Sequence, residues 1–145
     1  MGVDVQLNEL LTSLYSDIRD IEEKALSDGE FADLTYNDMH VIEAIGDSEP
    51  KASSDVAKKL RVTMGTLTKA IDGLVSKGYV HRERSESDKR KVMLSLLDKG
   101  GAAFKRHEEF HKDMVKSVLN QMDEEDTVVL SKMLGGLKGY FEKLV

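Results

Sequence analysis

The sequence has no cysteine and no tryptophan, and only one proline among its 145 residues. Without cysteine there can be no disulfides and no thiolate metal sites. The first residues, MGVDVQLNEL, contain no cleavable signal, so we expect a cytoplasmic protein. No apolar run is long enough to span a bilayer, and we expect no membrane partner. The scarcity of proline and the 33% of charged residues instead indicate a mainly helical, single-domain protein.

The net charge of −6 is distributed unevenly along the chain. Residues 51–91 contain eleven Lys and Arg against five acids, a net charge of +6, so the rest of the chain carries −12. A basic centre between acidic ends is typical of a module that binds phosphate groups. Charge alone leaves open a second interpretation, in which the basic residues form only a solvated face.

Helical periodicity is clear in the first third of the chain. Apolar residues recur at mostly helical spacing over residues 4–27, which predicts a long amphipathic first helix. Thr35, with Asp38 three residues later, predicts a capping box at the start of a second helix, and Gly46 predicts its end.

Two short helical segments follow, SSDVAKKL and TMGTLTKAIDGLVSKG, and their spacing resembles a helix-turn-helix. We expect Ser53 or Ser54 to cap the first segment, Thr63 to cap the second and Gly78 to end it. In the second segment a buried stripe is predicted at Leu67, Ala70, Ile71 and Leu74. Its exposed first turns then carry Thr63, Met64, Gly65, Thr66, Thr68 and Lys69. Such residues suit the end of a recognition helix that faces a DNA groove, although a Thr-rich surface helix is the alternative.

The segment YVHRERSESDKRKVMLSLL predicts a two-stranded hairpin with a charged tip, because apolar residues alternate at Val92, Leu94 and Leu96. A basic hairpin after a helix-turn-helix is typical of a winged helix, whose tip can place an arginine in a narrow minor groove. Candidates for such contacts are Arg84, Lys89 and Arg90. The acidic Asp88 is expected to pair with an arginine and to fix the direction of the tip.

The stretch VTMGTLTKAIDGLVSKGYVHRERSESDKRKVMLSLLDKG resembles the MarR family of transcriptional regulators, whose wing carries a D-x-R signature matched by Asp88 and Arg90. One departure is Asp98, where relatives usually have Thr. The resemblance implies a mainly α fold with a small β-wing: a winged helix-turn-helix core over residues 34–98, flanked by dimerisation helices in 1–33 and 99–145. It implies a homodimer that binds a pseudo-palindromic double-stranded operator as a repressor. The DNA-binding residues that we assign are Thr63, Gly65, Thr66, Thr68, Lys69, Arg84, Asp88, Lys89 and Arg90.

The residues after the wing support a dimer independently. We predict a helix from Asp98 to about Met122, and a last helix over Asp123–Leu144 that is capped by Asp123 with Asp126 three residues on. The last helix has more apolar residues than its share of a small core requires, and pairing with a second chain would bury them. They are Val129, Leu130, Met133, Leu134, Leu137, Tyr140, Phe141 and Leu144.

The pentapeptide HEEFH at residues 107–111 fits H-E-x-x-H, in which two histidines hold zinc beside a general base. Its continuation has Met114 and Ser117 where a metzincin has glycine and a third histidine. A peptidase would also need most of this short chain, so we expect no enzyme. His107 and His111 project from one helical face, and we expect them to point towards His40.

The resemblance implies two roles for these histidines. DMHVIEAIG, VTMGTLT, RSESDKR and HEEFHKDMV are similar to FabT-type repressors of fatty-acid synthesis, which implies an effector pocket at His40, His107 and His111 for long-chain acyl groups on acyl carrier protein. Zinc-sensing MarR repressors imply instead a metal site at Glu22, His40, His107 and His111, with ligand types that suit zinc. Met39 and Arg106 replace acids expected at the second zinc site of those proteins. A purely structural role is the third possibility.

We therefore expect a homodimeric repressor, of the fatty-acid-synthesis branch, that requires no cofactor. A ligand-carrying or metal-buffering helical protein without DNA binding is the alternative from another class. The basic wing argues against that alternative, because a buffer has no use for it.

Overall fold

A computed structural model describes residues 2–145, and over this range it contains six helices and one three-stranded antiparallel sheet. The elements are α1 (Val3–Ser27), α2 (Tyr36–Ile45), β1 (Lys51–Ala52), α3 (Ser53–Leu60), α4 (Met64–Ser76), β2 (Val80–Arg84), β3 (Val92–Leu96), α5 (Asp98–Leu119) and α6 (Glu124–Glu142). This architecture confirms the prediction of a mainly α winged helix. None of the helices described is both long and apolar enough to cross a membrane.

The chain divides into two compact units, one ending at Lys105 and the other comprising Arg106–Val145. The first contains the helix-turn-helix and the wing. The second contains α6 and the later turns of α5.

Local capping signals correctly predicted most helix ends in the first unit. The Thr35 hydroxyl accepts from the backbone N–H of Asp38, and the Asp38 carboxylate accepts from that of Thr35, both at 3.0 Å. The hydroxyl of Thr63 caps α4 by accepting from Thr66 N at 3.2 Å. Gly46 and Gly78 follow α2 and α4 with φ of 72° and 85°, values that glycine adopts readily.

The prediction that Ser53 or Ser54 caps α3 is wrong. Ala52 is the N-cap and makes no side-chain hydrogen bond, while Ser53 is already the first helical residue. The reason is that Lys51 and Ala52 form a short strand paired with Leu94 and Met93, so the helix starts directly where a strand ends. The predicted two-stranded hairpin is confirmed as β2 paired with β3, and β1 extends it to a three-stranded sheet of order β1-β3-β2.

The core of the first unit lies between α2, α3, α4 and the sheet. Leu67, Ile71 and Leu74 are buried as predicted, and Ala70 packs against them partly buried. Tyr79 is fully buried. Its ring contacts the ring of Phe31 in an edge-to-face arrangement, with centroids 6.3 Å apart. One face of α4 is therefore held by the core, and its other face is exposed.

In the second unit α5 ends at Leu119, three residues before the predicted Met122. The amide of Gln121 donates to Val118 O, and that of Met122 to Leu119 O, both at 3.1 Å. These i to i−3 bonds tighten the final turn out of α-helical geometry. Asp123 caps α6 as predicted, accepting from Asp126 N at 2.8 Å.

Candidate nucleic-acid interface

The N-terminal turns of α4 form the first part of the candidate interface. All six residues predicted to be exposed there are exposed: Thr63, Met64, Gly65, Thr66, Thr68 and Lys69. The Thr63 hydroxyl donates to Thr66 Oγ1 at 3.0 Å, in addition to accepting from the Thr66 amide. Those two threonines therefore fix the first turn, and Thr68 and Lys69 lie on the next one.

Gly65 is not required by the packing of the chain. A Cβ added there would meet no atom closer than the Thr63 hydroxyl at 4.0 Å. The glycine therefore leaves this part of the outer surface of α4 without a side chain, which allows a partner outside the chain to approach the backbone closely.

The wing tip is organised around Asp88. Its Oδ1 accepts from both the backbone N and the Nε of Arg90 at 3.1 Å, and its Oδ2 from Nη2 at 3.4 Å. The hydrogen bonds from Arg90 lower the pKa of Asp88. The Arg90 side chain is 92% exposed. The predicted pairing of Asp88 with an arginine is confirmed, and it holds an accessible cation in a defined direction.

Arg84 and Lys89 are hydrogen-bonded to each other within the hairpin. The Arg84 guanidinium donates to the carbonyl of Lys89 at 2.8 Å. The ends of the tip are closed by Ser85 N donating to Lys91 O and Lys91 N donating to Asp88 O, both at 2.9 Å. Arg84 therefore supports the shape of the tip, while the exposed Lys89 side chain extends from it.

Sequence reasoning missed an ion pair between the recognition helix and the wing. Arg82 Nη1 lies 2.6 Å from Asp72 Oδ1, joining the outer face of α4 to β2. The only signal in the sequence was one acid on the exposed face of α4 and an arginine in the next strand. Nothing in a periodicity pattern could show that they meet.

The histidines are placed in both units. In the first, His40 Nε2 lies 3.9 Å from Oε2 of the buried Glu22, and the His40 ring contacts Tyr36 with centroids 4.4 Å apart. Burial and the Glu22 carboxylate raise the pKa of Tyr36. In the second unit the Nε2 atoms of His107 and His111 are 3.0 Å apart, within hydrogen-bond distance.

Comparison with known proteins identifies the family. A model described as the MarR family matches residues 34–92. The transcriptional regulator SarZ of Staphylococcus saprophyticus is 32% identical over 117 residues, which make up 81% of this chain and 77% of that protein. The chain belongs to the MarR family. This confirms the resemblance stated from the helix-turn-helix and wing motifs.

Other relatives differ in how much of their length is matched. The repressor YetL of Bacillus subtilis is 33% identical over 91 residues. The chain spans about half the length of YetL and of several other MarR-family relatives that it matches. The crystal structure of Streptococcus pneumoniae FabT in complex with DNA is similar over 97% of this chain and 98% of that one, with a TM-score of 0.93 and 39% identity.

These relatives are MarR-family transcriptional regulators rather than enzymes, which confirms the expectation that the chain is no enzyme. The DNA-contact roles of the α4 and wing residues, and the effector or metal roles of the histidines, remain predictions at this point.

Proposed function

We propose that the protein is a transcriptional repressor that reads DNA with the first turns of α4 and with the wing tip. The observation that carries the proposal is the wing: Asp88 holds the 92% exposed Arg90 in a bidentate contact. The exposed, Thr-rich end of α4 supports it. In this proposal Thr68 and Lys69 contact base edges or phosphates, and Gly65 leaves room for DNA to approach the backbone. The similarity to a FabT structure solved with DNA supports this.

We further propose that the protein acts as a homodimer on a pseudo-palindromic operator. None of the residues of α6 is buried within the chain, and large apolar side chains along α1 and α6 are exposed. Surfaces of this kind mark association sites. Two-fold symmetry then requires half-sites about one helical turn, ~34–36 Å, apart.

Gel shifts with an operator fragment and a random duplex of equal length test this function. Arg90→Ala should lower operator affinity by an amount on the order of 1–3 kcal/mol and weaken the preference for A·T-rich flanks. Lys69→Ala should weaken binding to both duplexes alike. It should also reduce the slope of log affinity against log salt concentration by about one. Lys24→Ala, which removes an exposed lysine of α1, is the matched control. Equal wild-type affinity for both duplexes at physiological salt would contradict the proposal.

For the effector we propose a long-chain acyl group on acyl carrier protein, acting on a repressor of fatty-acid synthesis. The support is the 39% identity to FabT over nearly the whole chain, together with the histidines at 40, 107 and 111. The double substitution His107→Ala with His111→Ala should blunt the response of DNA binding to acyl carrier protein. It should leave affinity for bare DNA nearly unchanged, because the wing lies elsewhere in the chain.

Zinc is the second candidate, and one observation favours it. The two Nε2 atoms of His107 and His111 are 3.0 Å apart, close to the roughly 3.3 Å expected between two nitrogens that share a tetrahedral ion at about 2.0 Å. A closed zinc site takes four ligands, so this pair would supply only half of one.

The same double variant separates the candidates. If zinc is the effector, binding of zinc and its effect on DNA affinity should be lost in the variant, because two of the ligands are removed. Unchanged responses to both zinc and acyl carrier protein would show that the histidines are structural.

A further inference from the structure

The turn of residues 77–79 connects the two elements assigned to DNA. Lys77 is the C-cap of α4, Gly78 has φ of 85°, and β2 begins at Val80, immediately after Tyr79. The amide of Tyr79 donates back to Leu74 O at 3.0 Å. Because α4 ends and β2 begins at this turn, a rotation of the turn changes the angle between them.

Asp33, in the connection between α1 and α2, is attached to this turn at two points. The Tyr79 hydroxyl donates to Asp33 Oδ1, and Lys77 Nζ donates to the Asp33 carbonyl, both at 2.6 Å. The partners are 46 and 44 residues from Asp33 in sequence. The Tyr79 ring is fully buried, so its hydroxyl requires an acceptor at a fixed place.

The first turn of α5 contacts the same group. Lys99 Nζ lies 4.4 Å from the centroid of the Tyr79 ring, 3.9 Å from Asp33 Oδ2 and 3.4 Å from the Lys77 carbonyl. Lys77 Nζ is also 3.2 Å from Asp38 Oδ2, part of the carboxylate that caps α2. The turn is thus connected by directional polar contacts to the segments that begin α2 and α5.

The apolar core buries Leu74, Val80 and Tyr79, but apolar packing has no preferred direction. The hydrogen bonds at this turn do have one, so they restrain its orientation in addition to satisfying the buried Tyr79 hydroxyl. Directional contacts placed at the connection of two DNA-contacting elements control their relative orientation.

We propose that Asp33 is a positioning residue for operator recognition: with Lys77, Tyr79 and Lys99 it sets the angle between α4 and the wing, so that both fit one operator half-site. The inference rests on the proposed function, in which these two elements read DNA. It predicts a loss of discrimination between operator and random DNA, since random binding depends on charge and tolerates an altered angle. The number of phosphate contacts, and hence the salt slope, should not change.

The test compares operator and random-duplex affinities of three variants in the full-length protein. Asp33→Asn keeps an oxygen that can accept from Tyr79 but removes the charge facing Lys99. Tyr79→Phe keeps the buried ring and removes the hydroxyl. Asp28→Asn is the matched control, because it removes one exposed carboxylate from the same connection. All measurements are made below the onset of thermal unfolding, checked by circular dichroism.

We expect Asp33→Asn and Tyr79→Phe each to lower the ratio of operator to random-DNA affinity about two- to tenfold, the size typical of residues that act through others. Asp28→Asn should leave the ratio unchanged. If only one of the two variants folds, its ratio decides. An unchanged ratio, or an equal loss on both duplexes, would show a merely structural role and overturn the inference.

Lys69→Ala and Arg90→Ala are measured in parallel. If they weaken DNA binding while the Asp33 and Tyr79 variants keep the wild-type ratio, the inference fails and the proposed function stands. If they are silent, the proposed function fails and the inference fails with it.

Discussion

The winged-helix core and helix α6 place their apolar residues in opposite environments. In the core, Leu74 and Leu94 have no exposed surface, whereas in α6 Leu134 is 53% and Phe141 48% exposed. Every buried hydrophobic residue of the described chain lies between Phe31 and Ala103. The unit that carries the proposed DNA contacts therefore completes its own core, while the apolar face of α6 is exposed and would be buried by a second chain in the proposed dimer.

Helix α1 resembles α6 in this respect. Its large apolar residues as far as Ile21, including Leu7, Leu10, Leu14 and Ile18, are at least 41% exposed. Only its last turns differ, since Leu26 packs against the core and Glu22 is the one buried residue. The helices at the two ends of the chain are thus incomplete in the same way. If the proposed dimer buries these helices, their stability should depend on protein concentration, whereas that of the core should not.

The largest expected effect comes from truncating one leucine in each region. Leu74→Ala should lower the free energy of unfolding by about 2–5 kcal/mol, because it leaves a cavity in a packed core. Leu134→Ala should mainly raise the dimer dissociation constant. Chemical denaturation over a hundredfold range of protein concentration separates the two effects. If both variants lost a similar amount of unfolding free energy at every protein concentration, the distinction between the two regions would be contradicted.

Adjacent glycines at the start of α5 offer a second, smaller comparison. A Cβ at Gly100 would overlap the backbone carbonyl of Tyr79, whereas one at Gly101 would meet nothing within 4 Å. Gly100→Ala should therefore cost about 1–3 kcal/mol through overpacking. Gly101→Ala should stabilise the helix by up to about 1 kcal/mol, since alanine is the better helix former. Thermal melts of both variants test this, and equal effects would mean that the first turn is not fixed against the core.

A weaker effect is expected from pH. The hydrogen bond from Tyr79 lowers the pKa of Asp33 below its ordinary value of 3.8. The corresponding stabilisation is complete above that value and is lost as the pH falls through the lower folded-state pKa. The difference in melting temperature between wild type and Asp33→Asn should then be constant at neutral pH and shrink below pH ~4. A difference that persists unchanged into acid would contradict the assignment.

The smallest effect is expected at the ion pair of Arg82 with Asp72, which joins α4 to β2 on the surface. Their side chains are 36% and 59% exposed, so Asp72→Asn should change the free energy of unfolding by roughly 0.2–1 kcal/mol. The loss should decrease further at 1 M salt, where such pairs are screened. Denaturant titrations at low and high salt measure it, and a salt-independent loss above that range would require a different explanation.

The sequence by itself determined the features that depend only on residues close together in the chain. Thr35, Thr63 and Asp123 cap the helices they were predicted to cap, because a cap is made between residues two or three positions apart. The pairing of Asp88 with Arg90 was predictable for the same reason, as both belong to one short tip. The buried stripe of α4 follows from helical periodicity alone.

Only the tertiary structure decided what depends on residues distant in sequence. Strand β1 consists of two residues, Lys51 and Ala52, and exists because β3 lies beside it, so no local pattern could predict it or the missing serine cap of α3. The contacts of Asp33 with Lys77 and Tyr79 join positions more than forty residues apart. Local signals carry no information about which distant donor meets which acceptor, because that choice is made only when the core packs.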